Sequence, residues 1–253
     1  MMRLKGKKAI ITGGGRGIGR AIALSFAREG ADLVITYVSD KASADETLRE
    51  IYKYGGQAIA LPLNLGDLTQ ISQLKSEAIA FLGKVDILVN NAGFLTRKNF
   101  LDIAQDELFK VLNINLTSPF ILLQQIAAQM QQQNTGGSII NVSSISDRIA
   151  SNGLSHYQCA KAGLSMLTKG AALELAQYGI RVNTISPGLT ATDINRNQWD
   201  NQTEIWRSRV ADIPLKRAGL PEDHVGAAIF LASDESAWMT GACLVMDGGR
   251  SIF

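Results

Sequence analysis

Ala9-Ile10-Ile11-Thr12-Gly13-Gly14-Gly15-Arg16-Gly17-Ile18-Gly19 is the stretch whose reading decides the fold. A short apolar run enters a glycine-rich turn, and a helical pattern leaves it from Gly19 to Glu29. Glycines let the backbone turn tightly and approach a ligand closely. The free N–H groups and positive end of the following helix favour a negative group such as a pyrophosphate. The spacing is TGxxxGxG rather than the common GxGxxG. Alone, such a turn often marks only a tight strand-to-helix connection. Its place after a first strand and before a first helix is the one a dinucleotide-binding fold requires.

Outward from this turn, short apolar runs alternate with helical segments along the whole chain. Ala9–Ile11, Leu33–Ile35, Ala58–Leu61, Ile87–Val89, Ile139–Val142, Val182–Ile185 and Cys243–Met246 read as buried strands. Gly19–Glu29, Ala42–Tyr54, Ile71–Phe81, Glu107–Gln132, Tyr157–Tyr178 and Pro221–Ser233 read as helices. Several end at a glycine suited to a left-handed cap: Gly30, Gly55, Gly83 and Gly179. The alternation predicts a single α/β domain over residues 1–253, a doubly wound parallel sheet of about seven strands with helices on both faces. Gly188–Gly219 departs from it, being polar, with Trp199 and Trp206 and only a brief helical pattern. Loops at the carboxyl ends of such strands bind substrates, so this segment is expected to form a lid.

Composition narrows the function classes. The 253 residues are 46% hydrophobic and 19% charged, enough for one substantial core, and a net charge of +2 argues against a polyanion partner such as nucleic acid. The two cysteines, Cys159 and Cys243, have neither CxxC spacing nor a paired framework, so no metal is indicated and a reducing compartment is expected. The opening Met1–Lys8 leaves no room for a signal-peptide core, and no apolar run approaches the roughly 18 residues of a membrane span. A cytoplasmic protein with no membrane partner is the expectation.

Tyr157 and Lys161 stand four residues apart, one helical turn on the same face. A cation near a phenol lowers its pKa toward a range where it exchanges protons at working pH. Such pairs also arise by chance, so context must give this one its meaning. Ser144 lies thirteen residues upstream of Tyr157 at the end of an apolar run, with Ser143 beside it as an alternative hydroxyl. Asn115 follows Asn113 in Asn113-Ile114-Asn115-Leu116, where either amide could cap backbone groups of an irregular helix.

Taken together, TGGGRGIG, Asn90-Asn91-Ala92-Gly93, Asn115, Ser144, Tyr157 with Lys161, and Pro187-Gly188 resemble in order and spacing the short-chain dehydrogenase/reductase family. The resemblance runs from about Lys7 to Gly249. It implies an NAD(P)-dependent oxidoreductase that interconverts a carbonyl and an alcohol. Tyr157 would be the general acid/base, Lys161 would lower its pKa and bridge the nicotinamide ribose, Ser144 would orient the reacting oxygen, and Asn115 would hold a water linking Lys161 to solvent. Relatives commonly form tetramers through the two long helices, so a homotetramer is expected.

For the cofactor, the resemblance implicates Gly13, Gly15, Arg16, Gly17, Ile18, Thr36, Ser39, Asn64, Leu65, Asn91, Ala92, Gly93, Tyr157, Lys161, Pro187, Gly188, Leu189 and Thr192. The end of the second strand is Thr36-Tyr37-Val38-Ser39, without the acidic residue that selects NAD; Asp32 is read as too early and Asp40 as too late. Arg16 is placed as in NADP-using relatives, whereas Val38 stands where many of them are basic. NADP is favoured over NAD. Asn64 replaces a common acidic residue against the adenine, and its oxygen can accept the same hydrogen bond.

Fold and cofactor do not choose a substrate. Ser143-Ser144-Ile145-Ser146, Ser155-His156-Tyr157 and Ala191-Thr192-Asp193-Ile194-Asn195 resemble aldose 1-dehydrogenases of the glucose or rhamnose type, with Ser144, Ser146 and Asn195 as substrate contacts. The chain also resembles 3-oxoacyl-carrier-protein reductases, for which Arg97-Lys98 and Arg207/Arg209 would be a sparse basic patch. A reading of another class, a catalytically silent NADP sensor, would be marked by loss of Tyr, Lys or Ser, and all three are present.

Overall fold

The computed structural model describes residues 2–252. Seven strands follow the apolar runs: β1 (Lys8–Ile11), β2 (Asp32–Tyr37), β3 (Ala58–Pro62), β4 (Ile87–Asn90), β5 (Gly137–Val142), β6 (Ile180–Pro187) and β7 (Cys243–Met246). They form one parallel sheet in the order β3-β2-β1-β4-β5-β6-β7. The helices are α1 (Gly17–Arg28), α2 (Lys41–Tyr52), α3 (Thr69–Leu82), α4 (Gln105–Leu112), α5 (Ser118–Gln133), α6 (Ser155–Leu175), α7 (Arg196–Trp199), α8 (Glu204–Ala211) and α9 (Val225–Ala232).

Strand side chains alternate between faces, so each strand feeds two cores. Ala9, Ile11, Leu33, Ile35, Ile87, Val89, Ile140 and Ile185 pack with Ile22 and Phe26 of α1 and Ala228 to Ala232 of α9. Their neighbours Ile10, Val34, Leu88, Ile139 and Val182 pack on the other face with Leu74 of α3, Leu122 and Ile126 of α5, and Ala172 of α6. This is why the strands read as continuous apolar runs. The four glycines expected as caps take φ values of +88°, +78°, +76° and +69° at Gly30, Gly55, Gly83 and Gly179, conformations that other residues reach only with strain.

The expected single helix over Glu107–Gln132 is interrupted by a π turn, Asn113–Thr117, between α4 and α5, where the Ser118 N–H reaches back to Asn113 O. Gln105–Gln133 still runs as 29 continuous helical residues, and an 18-residue window reaches a mean hydropathy of 1.2. No uninterrupted apolar run of membrane-spanning length is present in the sequence, and the helix reaches that length because the π turn joins α4 to α5. Its buried side chains, 44% of that window, are taken up by the protein's own core.

Gly188–Gly219 departs from alternation as expected. It holds α7 and α8, and it is pinned at its base by a parallel bridge between Thr190 and Gly219.

Candidate active site

The order of strands places the site. Connections leave β1 toward β2 on one side and, across the sheet, those after β4, β5 and β6 lie on the other, so a crevice opens at the carboxyl ends beside β1. Thr12 seals this seam. Its hydroxyl accepts from the N–H groups of Asn91 (2.9 Å) and Ala92 (3.0 Å), while Asn91 Nδ2 donates to Thr12 O (2.9 Å) and Gly13 O (3.3 Å). Thr36 supports the turn from β2, its hydroxyl accepting from Gly13 N–H at 3.1 Å. That bond makes Thr36 a support of the glycine turn as well as part of the crevice wall.

A Cβ at Gly19 would lie 2.3 Å from Gly13 O and 2.4 Å from Asn91 Nδ2, and one at Gly14 would lie 2.7 Å from Ile35. The turn is therefore as tight as its sequence promised. Gly19→Ala is expected to destabilise the chain by about 1–3 kcal/mol through overpacking against backbone. Thermal unfolding followed by circular dichroism reads this, and an unchanged midpoint would contradict the geometry.

The crevice is a cleft of about 630 Å³. Gly13, Gly15, Arg16, Gly17, Ile18, Thr36, Ser39, Asn91, Ala92, Gly93, Ser144, Ser146, Tyr157, Lys161, Pro187, Gly188, Leu189, Thr192 and Asn195 all line it. The structure brings these expected residues together from segments far apart in sequence. A nicotinamide dinucleotide fits the wall at the glycine turn. Gly17 adopts φ +54°, its would-be Cβ facing Thr192 across the cleft at 3.6 Å. The first turn of α1 has neither a side-chain cap nor an acidic residue, which leaves it suited to an anion.

Asn64 and Leu65 are exceptions, since neither lines the cleft. The chain after β3 closes in a local turn in which Asn64 Oδ1 accepts from Gly66 N–H at 2.9 Å, and Leu65 is buried in the core with its carbonyl accepting from Ser118. The Asn64 oxygen expected to meet an adenine thus has one of its two lone pairs engaged by its own turn. Asp40, expected to lie too late, does line the cleft. Its carboxylate caps α2, accepting from Ser43 N (3.0 Å) and Ser43 Oγ (2.6 Å).

At the β5 end the two serines separate. Ser143 is buried and its hydroxyl is spent on Lys161 O (3.2 Å) and on Ser165 and Asp147, whereas Ser144 lines the cleft. Ser144 Oγ accepts from Ser146 N–H at 3.1 Å, leaving its own O–H free to donate. Lys161 is buried, and its ammonium donates to Val142 O at 2.9 Å and lies 5.6 Å from the centre of the Tyr157 ring.

One expectation about this cluster changes. Burial pushes the Tyr157 phenol up to about 12; Ser144 pulls it down and the Asp147 carboxylate adds to the rise. The rise from burial outweighs any help from Lys161, whose own pKa burial depresses to about 8. Asn115 takes the backbone-capping role that the sequence also offered. It is fully buried in the π turn, and its amide donates to Phe94 O (2.7 Å) and Val111 O (2.9 Å) while Oδ1 accepts from Phe94 N–H (3.2 Å). Both amide hydrogens are spent on backbone, so its side chain holds the irregular helix rather than donating to a water. It still stands beside the cluster, since a Cβ on Gly93 would lie 3.0 Å from Asn115 Oδ1 and 3.9 Å from Lys161 Nζ.

Asn195 is similarly committed. Oδ1 accepts from Thr192 N–H at 2.9 Å and Nδ2 donates to Thr190 O at 2.8 Å, leaving one amide hydrogen for a substrate. His156 is bonded to Thr96 Oγ1 (2.8 Å) and does not line the cleft, and Asn90 is a buried partner of Asn141 (2.9 Å).

Asp147 was missed. Its side chain is 2% exposed and accepts from Arg148 Nε (2.7 Å) and Ser165 Oγ (2.5 Å), with Ser143 and Ser186 at 3.4 Å. Burial would raise its pKa, but the bonds from Arg148 and Ser165 outweigh that and hold it low. It thus ties the Ser144 segment to α6 and β6. Its only signal in the sequence was a charge three residues beyond Ser144.

A family model described as enoyl-(acyl carrier protein) reductase matches residues 13–251. The chain is 39% identical over 252 residues to an L-rhamnose 1-dehydrogenase (NADP(+)) of Thermoplasma acidophilum, covering 100% of this chain and 99% of the relative. It is 36% identical over 244 residues to a 3-oxoacyl-[acyl-carrier-protein] reductase of Staphylococcus aureus, covering 96% and 97%. The crystal structure of a short-chain type dehydrogenase/reductase from Mycobacterium marinum superposes with a TM-score of 0.93 at 34% identity, covering 100% of this chain and 98% of that one. With the glycine turn, the Ser144–Tyr157–Lys161 cluster and these likenesses spanning the whole length, the chain belongs to the short-chain dehydrogenase/reductase family of NAD(P)-dependent oxidoreductases.

Proposed function

We propose that this enzyme oxidises a CH–OH group of a sugar or polyol, in the manner of an aldose 1-dehydrogenase, with Tyr157 as the general acid/base. The observation that carries the chemistry is the convergence of Tyr157, Ser144 and buried Lys161 on one cleft. The likeness to an L-rhamnose 1-dehydrogenase over the full length supports the substrate class.

Tyr157 takes the proton of the substrate hydroxyl in oxidation and returns it to the carbonyl oxygen in reduction. Ser144 donates its free O–H to that oxygen and fixes its position. Lys161, when charged, lowers the cost of the phenolate. With a pKa near 8 it holds that charge at neutral pH. When bound, NAD(P) accepts or supplies the hydride. Gly13, Gly15, Gly17 and Ile18 would hold its pyrophosphate, and Asn91, Ala92, Gly93, Pro187, Gly188, Leu189 and Thr192 would flank its nicotinamide half. Arg16, exposed at the cleft rim, would meet a 2′-phosphate, which favours NADP.

Residues 188–219 serve as a lid in this reading, since they supply Thr192, Asn195, Arg209 and Ile213 to the wall. The free thiols Cys159 and Cys243 suit a cytoplasmic enzyme. Exposed Phe120 of α5 with Met166 and Leu173 of α6 offers an apolar face for a homotetramer.

A panel of aldoses with NADP and with NAD, set against an acetoacetyl thioester with NADPH, tests the proposal. Aldose oxidation, faster with NADP, is the expected result. Fast thioester reduction without aldose oxidation would establish the carrier-protein reductase reading instead. A large preference for NAD would refute the phosphate role of Arg16.

A further inference from the structure

Three guanidinium groups on the cleft wall are unused by this chemistry, and one of them, Arg250, faces the carboxylate of Asp212. Arg97, in the connection after β4, donates to Asn152 O at 3.3 Å, and Arg209 of α8 donates to Gln198 Oε1 at 3.1 Å. Both line the cleft that holds Ser144 and Tyr157. Among the described residues neither has a carboxylate partner. The three carboxylates of the wall are engaged elsewhere. Asp40 caps α2, Asp193 pairs with Arg196, and Asp212 lies 3.5 Å from Arg250.

The pair stands on the reacting side of the sheet. Arg97 touches the connection between β5 and α6, and Arg209 belongs to the segment after β6, whereas Arg16 lies near Asp40 on the β2 side of β1. An anion between Arg97 and Arg209 would therefore belong to the substrate rather than to a pyrophosphate. Arg209 is partly buried, and its pKa is lowered first by that burial and then by repulsion from Arg97. The repulsion reaches Arg209 although Arg97 is exposed; an anion between the two would relieve it, and planar guanidinium groups match a carboxylate in two-point fashion.

We infer that the substrate is an acidic sugar, a polyol whose carboxylate is held by Arg97 and Arg209 while one of its CH–OH groups reacts at Tyr157. This rests on the proposed oxidation of a polyol and goes beyond it by naming the charge the substrate carries. A partner protein's acidic surface would meet arginines outside the cleft, and Arg209 is partly buried within its wall.

The test compares kcat/KM of the full chain for uronic and aldonic acids with that for the neutral aldoses and alditols of the same stereochemistry, and for sugar phosphates. An acid should exceed its neutral counterpart by about 100-fold. Arg209→Gln and Arg97→Gln should each cut the acid-to-neutral ratio about tenfold, mainly through KM, and Arg209→Lys should restore part of it. Because the ratio compares two substrates on one preparation, a variant that folds incompletely still reads out. Neutral sugars turned over as well as acids, or ratios unchanged in both glutamine variants, would overturn this inference and leave the polyol reaction standing. Sugar phosphates preferred over carboxylates, with the same arginine dependence, would overturn the carboxylate assignment. Turnover of thioesters and of no polyol would overturn the reaction and this inference with it.

Discussion

Replacing Tyr157 by phenylalanine is expected to lower kcat by about 10²–10⁴-fold, the usual contribution of a positioned proton donor or acceptor, while cofactor affinity stays within about twofold. The substitution removes one oxygen and keeps the ring that packs at the cleft wall. Among the described residues the hydroxyl meets only the Ser144 side chain, at the cleft surface, so the thermal midpoint should not fall. Steady-state turnover and cofactor titration by fluorescence read the two halves of the prediction. Unchanged turnover would sink the proton-transfer role. The high pKa, pushed up to about 12 by burial, adds a direction. Carbonyl reduction needs the protonated phenol and has it at all working pH values. Alcohol oxidation needs the phenolate, so the wild-type oxidation rate should climb with pH.

Lys161→Met should remove most activity and yet stabilise the chain. Burial lowers the ammonium's pKa from 10.5 to about 8, which at about 1.4 kcal/mol per tenfold corresponds to about 3 kcal/mol of strain against its charged form. Losing the bond to Val142 O gives back about 1 kcal/mol or more. A net gain of about 1–2 kcal/mol remains at pH 7, a rise in melting midpoint of several degrees for a chain of this size. The sign follows from the order of the two pKa values. Below pH 8 both folded and unfolded chains carry the charge, and the full cost is present. Between 8 and 10.5 the folded chain has released the proton and the unfolded chain has not, so wild-type stability rises with pH. The advantage of the methionine variant should therefore be largest below pH 8 and absent above 10.5. Denaturant unfolding at pH 7 and pH 10 measures it. A variant less stable than wild type at pH 7 would show that the lysine's hydrogen bond outweighs its burial.

Both expectations depend on features the sequence revealed unevenly. Seven strands and their order of appearance were legible because a strand buried on both faces must be apolar throughout, as in Ile139–Val142. The caps at Gly30, Gly55, Gly83 and Gly179 were legible because only glycine enters a left-handed turn without strain. Ser144 was separable from Ser143 by its thirteen-residue spacing to Tyr157, and the burial of Ser143 gives that spacing its physical meaning. The π turn at Asn113–Thr117 was legible only as one reading of the paired asparagines, an irregular helix whose backbone an amide caps. One extra residue in a helical turn leaves the apolar pattern nearly intact, and its stabilisation comes from Phe94, twenty-one positions away.

What the sequence by itself determined about this protein is the set of local and ordered features: the glycine turn, the α/β alternation, and the residues able to exchange a proton. These follow from backbone conformation and side-chain periodicity, which act over a few residues. The tertiary structure decided what depends on neighbours distant in the chain. It removed Asn64 and Leu65 from the cleft, spent the amide of Asn115 on backbone, and buried Asp147 beneath Ser144. It raised Tyr157 where a lone lysine suggested lowering, because desolvation depends on everything packed around a group and not on the residue one turn away. It also brought Arg97 and Arg209, which the sequence offered as a sparse basic patch, to the wall of the cleft that holds Ser144 and Tyr157.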